Sequence, residues 1–106
     1  MKIGVMSTGP ILENYLGAQA KRSGYLLIVD LDSLQYLTVQ NPLLTLHGPK
    51  AGILFAQVLV QNSVDAVLAG SFDPDIRQML CKAGIQVISG KKGIVYKIIE
   101  SFKRSY

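Results

Sequence analysis

His47-Gly48-Pro49-Lys50 is the stretch whose residue types are best suited to chemistry. The chain's only imidazole stands there beside a glycine, a proline and a cation, just where a helical pattern begins. Neutral imidazole is the commonest nitrogen ligand for transition metals and titrates near neutrality. A closed zinc site wants four protein ligands, so a lone His47 points instead to anchoring a preformed cluster that brings its own sulfides. Other loops carry further cations, Lys21 with Arg22 and Lys91 with Lys92. Gly48, Gly70 and Gly93 offer backbone amides that a ligand can approach closely. The ligand class these groups share is a small anion. The candidate binding set is therefore His47, Gly48, Lys50, Gly70, Lys91 and Lys92, with His47 as the metal ligand.

Other chemistries fit less well. Cys81, the single thiol, is expected half-buried near the end of a helix, where free cysteine behaves as a small hydrophobe. That position lies at the opposite end of the sheet from His47, which excludes a Cys–His pair. Gly70-Ser71-Phe72-Asp73-Pro74 resembles the opening of the adenylyltransferase signature. That signature follows a first strand and runs into a two-histidine motif, whereas Asp75-Ile76-Arg77 follows here; the stretch reads as a strand-to-helix turn capped by Asp73. A two-metal nuclease needs clustered carboxylates, including one in the first strand, and that strand has no acid. The basic loops lack the interleaved aromatics of a single-strand binder, so neither nucleic acid nor catalysis is expected.

A chain of 106 residues with half of them apolar suits one domain spanning residues 1–106. A net charge of +4 favours anionic partners. No apolar run reaches the roughly 18 to 20 residues that a membrane span needs. The opening Met-Lys-Ile-Gly-Val reads straight into a strand rather than a secretory signal, and one cysteine fits a reducing cytoplasm.

Strands are expected at 2–7, 25–30, 34–40, 64–69 and 85–89, and three helices at 50–62, 74–83 and 94–103. The first helix carries Leu54, Phe55, Val58 and Leu59 on one stripe, with Ile53 and Val60 outside it, either as a dimer face or as a surface buried under the loop at 11–20. Asp73, Pro74 and Gly84 are the cap, first residue and stop of the second helix. A tight turn at 31–33 joins the second and third strands, and crossover helices demand parallel strands after that. The expected architecture is α/β and ribonuclease H-like: three layers around a five-stranded mixed sheet of order 3-2-1-4-5, with the second strand antiparallel. Loops 8–24, 41–50, 70–75 and 89–93 then gather at the carboxyl ends of the strands, where open α/β sheets bind ligands. Three helix N-termini, near Lys50, Pro74 and Gly93, point to the same end and attract anions.

Taken together, these residues resemble the nitrogenase accessory family of iron–molybdenum cofactor biosynthesis over nearly the whole chain. The resemblance rests on Lys2-Ile3-Gly4-Val5, Leu16-Gly17-Ala18 ahead of Tyr25-Leu26-Leu27-Ile28-Val29-Asp30, and His47-Gly48 before Ala51-Gly52-Ile53. It continues through Val64-Asp65-Ala66-Val67-Leu68-Ala69-Gly70, Pro74, Leu80 and Ala83-Gly84-Ile85. It implies a small non-catalytic domain that binds an anionic iron–sulfur or molybdenum–sulfur cluster, or its precursor, at the loop end. Where family members carry a His-Phe-Gly-Arg-like run, this chain has Tyr15-Leu16-Gly17-Ala18, with Lys21 and Arg22 nearby. A phosphate-sensing domain and a protein-interaction module are the alternative readings.

Overall fold

The computed structural model describes residues 1–45 and 48–105. Its strands are β1 (Lys2–Ser7), β2 (Tyr25–Asp30), β3 (Tyr36–Gln40), β4 (Val64–Leu68) and β5 (Gln86–Ile88). Its helices are α1 (Pro42–Thr45), α2 (Pro49–Gln61), α3 (Pro74–Lys82) and α4 (Val95–Ser105), with a 3-10 turn at Ala20–Arg22. The sheet order is β3-β2-β1-β4-β5. The β1–β2 and β2–β3 pairs are antiparallel, while β1–β4 and β4–β5 are parallel. This is the expected α/β architecture, with β2 running against the rest. Among the described residues no helix is long and apolar enough to cross a membrane.

The central strands are nearly continuous runs of Val, Ile, Leu and Ala because both of their faces are covered. On one face, Phe55 and Leu59 of α2 and Leu80 of α3 pack with Met6, Leu26, Ile28 and Val67. On the other, Val95, Ile98 and Ile99 of α4 pack with Ile3, Val5, Leu27, Val29 and Leu68. α3 ends at Gly84, whose φ of +80° suits glycine. There the Gly84 N–H donates to the Cys81 carbonyl (3.1 Å) and the Ile85 N–H to the Leu80 carbonyl (2.9 Å). That is the Schellman pattern, with Leu80 and Ile85 both buried in the same cluster.

Four local expectations are corrected. Leu54 is 38% exposed, because α2 buries Ala51, Phe55 and Leu59 at four-residue spacing and Leu54 lies about 100° round the helix from Phe55. Cys81 is exposed rather than half-buried; its neighbour Leu80 takes the inward position. Residues 42–45, expected as loop, form α1. Its signal is Asn41-Pro42: the Asn41 side-chain oxygen accepts the Leu43 N–H at 3.0 Å, with proline at the first helical position.

The fourth correction is that β3 starts at Tyr36, not Leu34. Leu34 has a φ of +63° and its N–H donates to the Asp30 carbonyl at 2.7 Å, so it belongs to the turn. The Asp30 carboxylate closes that turn by accepting the N–H groups of Asp32 (2.9 Å) and Ser33 (3.4 Å). These bonds hold its carboxyl below the ordinary value of 3.8. A depressed carboxylate stabilises the fold fully above the ordinary range and loses that contribution as pH falls through the folded value. The melting-temperature gap between the wild type and Asp30→Ala is therefore widest at neutral pH and narrows below the ordinary 3.8. A gap of constant size down to strongly acid pH would contradict this.

Candidate functional site

The strand directions bring the carboxyl ends of β1, β3, β4 and β5 to one end of the sheet. Between β1 and β4 the strand order switches, and a crevice is expected there. Residues 15–20 of the connection between β1 and β2 lie across that switch point as a strap. The Leu16 N–H donates to the Gly93 carbonyl (2.8 Å), Gly17 to Met6 (2.8 Å) and Ala20 to Ser71 (2.9 Å). The Ser71 hydroxyl donates back to the Ala18 carbonyl at 2.9 Å. At the far end the Asn41 amide nitrogen, fully buried, donates to the carbonyls of Ala20 (2.8 Å) and Ser23 (2.7 Å). The strap thus ties the loops after β1, β3, β4 and β5 into one hydrogen-bonded platform.

Gly70 has its place in this platform. Its N–H donates to the Gly17 carbonyl at 2.9 Å and its own carbonyl accepts the Gly90 N–H at 2.9 Å. A Cβ there would meet the Ala18 carbonyl oxygen at 2.6 Å, so glycine lets the strap lie against the end of β4. The amide is engaged by protein, and Gly70 supports the site through backbone approach.

The other members of the set separate by face. Gly48, at the N-cap with a φ of +73°, and Lys50, in the first turn, open α2 on one side of the sheet; both are exposed. Lys91 and Lys92 follow β5 and lie on the α4 side. They rim a cavity of about 360 Å³ whose lining includes Leu68, Ile94, Lys97 and Ile98. His47 lies outside the described residues.

Of the three helix N-termini, that of α4 is closed to ligands. Its Val95 and Tyr96 N–H groups donate to the carbonyls of Asn14 (2.9 Å) and Leu12 (2.8 Å). That of α3 carries Asp73 and Asp75. The Asp73 carboxylate makes no cap bond and sits 3.9 Å from the Lys21 ammonium, an exposed pair of small energetic weight. The first turn of α2 holds no acid.

Two contributors were not anticipated from the residues alone. Lys97 adds a third cation to the cavity of Lys91 and Lys92; its signal is the Ile94, Lys97, Ile98 spacing, which puts all three on one side of a helix. Asn41 anchors the strap, and its signal is the Asn-Pro pair already noted.

The arrangement offers a cavity lined by both apolar side chains and three lysines. An anion in such a cavity is attracted more strongly than in open water, because the wall beside it has a low dielectric.

The comparisons with known proteins agree with this architecture. A family model described as dinitrogenase iron-molybdenum cofactor matches residues 1–105. Among solved structures, the chain is similar to the apo form of the orange protein from Desulfovibrio gigas, with a TM-score of 0.85 and 29% identity over 98% of this chain and 88% of that one. It is also similar to an NMR structure from Thermotoga, proposed to be a NifB protein of the DUF35 family, with a TM-score of 0.79 and 26% identity over 97% and 87%. A proposed dinitrogenase from Methanocaldococcus jannaschii shares the fold at 16% identity, with a TM-score of 0.66 over 99% and 89%. A comparison with curated proteins finds no match.

Proposed function

Because the chain belongs to the dinitrogenase iron-molybdenum cofactor family, we propose that it is a non-catalytic carrier for an anionic metal–sulfur cluster, iron–molybdenum cofactor-like or a precursor of it. The observation that carries this reading is the cavity of Lys91, Lys92 and Lys97, with its apolar lining of Leu68, Ile94 and Ile98, on the platform that the strap holds together. The lysines offset the charge of the cargo, and the apolar lining suits the soft, weakly hydrated sulfides of a cluster. A cargo that projects from the cavity past the carboxyl ends of the strands meets the positive potential of Lys50 and the amide end of α2 on the other face, and His47, next to Gly48 in the sequence, ligates a metal of it. Gly48 lets that helix start be approached closely, and Gly70 keeps the strap in place. The strand order and the antiparallel β2 support a ribonuclease H-like assignment of the fold. The lone exposed thiol of Cys81 is consistent with a reducing, cytoplasmic setting.

The test is His47→Ala. Its circular dichroism and melting temperature stay at wild-type values, while the metal retained after anaerobic loading and desalting falls sharply. Wild-type retention in the variant would remove the ligation role. Inorganic phosphate competing as well as thiomolybdate, with no dependence on metal, would favour the phosphate-sensing reading instead.

A further inference from the structure

We propose that the outward face of α2 is the interface for a second copy of this chain, packed antiparallel on its own symmetry mate. Ile53, Leu54 and Val60 are 49%, 38% and 54% exposed, and with Gln57 they form one outward stripe at helical spacing. Leu44 of the adjoining α1 is exposed as well. From Ser33 to Val64 the sequence carries one formal charge, Lys50. The chain as a whole is at +4, so self-association through its lysine-bearing surfaces would set like charges against each other. The α2 face escapes that penalty.

The position of Lys50 decides the direction of the pair. Two parallel α2 helices would place both Lys50 ammonium groups side by side. In an antiparallel pair centred on Gln57 they stand about 20 Å apart along the helices, from a rise of ~1.5 Å per residue. Each Lys50 then lies beside the carbonyl end of its partner's α2, where a helix carries partial negative charge. The last turn of α2 holds no basic residue of its own, so this complement comes from the partner. The interface is isologous, as two-fold dimers are, and small, which makes it a weak dimer.

Sedimentation equilibrium across a series reaching submillimolar protein tests the proposal. The wild type shows a monomer–dimer equilibrium, and Val60→Asp raises the dissociation constant at least about thirtyfold, the scale expected for placing a charge in an apolar contact. Leu37→Asp, on the free edge of the sheet, keeps the dimer. A second measurement is independent of that one: in a Cys81→Ser background, Gln57→Cys oxidises to a disulfide-linked dimer faster than Lys50→Cys. A wild type that stays monomeric throughout would overturn the proposal. So would loss of the dimer in Leu37→Asp alone, which indicates strand-edge pairing, or oxidation of Lys50→Cys as fast as that of Gln57→Cys, which indicates parallel helices. Cluster loading is measured separately, so neither result bears on the carrier reading.

Discussion

Neutralising Lys91 and Lys92 together, as Lys91→Gln/Lys92→Gln, lowers the affinity for tetrathiomolybdate about tenfold and leaves stability unchanged. An ammonium about 6 Å from a dianion contributes ~1.4 kcal/mol in a water-like dielectric. Salt screening and the mobility of exposed lysines cut this by about half. Two such lysines together contribute ~1.4 kcal/mol, a factor of about ten. Both side chains are exposed, so their loss costs the fold little. Lys82→Gln is the control: Lys82 closes α3 at the opposite end of the sheet and its neutralisation leaves loading unaffected. Raising the ionic strength weakens the wild type more than the double variant. Equal affinities for wild type and double variant at low salt would place the cargo elsewhere.

The second large effect falls on a residue with no charge. Asn41→Ala lowers stability by about 3 kcal/mol, because three hydrogen bonds to backbone groups are lost at roughly 1 kcal/mol each. Those groups are the carbonyls of Ala20 and Ser23 and the N–H of Leu43. Asn41 is fully buried, which limits their rescue by water. The loss is a sizeable fraction of the stability of a small domain. Asn41→Asp separates its two tasks: a carboxylate still caps α1 through the Leu43 N–H but cannot donate to the strap. Hydrogen exchange read by mass spectrometry speeds up at residues 16–23 in both variants, and at 42–45 in Asn41→Ala alone. Unchanged exchange across 16–23 would show that the strap is held by its remaining bonds.

The topology was legible because it follows from periodicity and connection length. Val64–Leu68 is too short and too Val-rich for a helix, and each crossover helix forces the next strand to run parallel. The strand order and the antiparallel second strand needed nothing more. The turn at Leu34 was not legible, since a leucine with positive φ contradicts its own propensity and is imposed by the Asp30 bonds around it. α1 was hidden by its length, because four residues carry no period. The strap was hidden for a different reason. Residues 15–20 have no pattern of their own, and what shapes them are bonds to Gly93 and Ser71, both far away in sequence, and to Met6 of β1.

The candidate site was legible in position and not in arrangement. Loop ends and cations could be read from the order of elements, which placed Lys50, Lys91 and Lys92 at the same end of the sheet. Sequence order does not show which face of the sheet each helix start takes. Lys50 opens a helix on the Phe55 side, while Lys91 and Lys92 lie on the Val95 side. Likewise, the helix start at Val95 promised free amides, but the carbonyls of Leu12 and Asn14 had already taken them.

Anaerobic loading of the wild type with tetrathiomolybdate, followed by desalting, visible absorption and metal analysis, tests most directly whether this chain carries an anionic metal–sulfur cluster. Retained molybdenum in stoichiometric proportion to protein, with its charge-transfer bands intact, is the predicted result. A colourless, metal-free protein under the same conditions, with its fold intact, would contradict it.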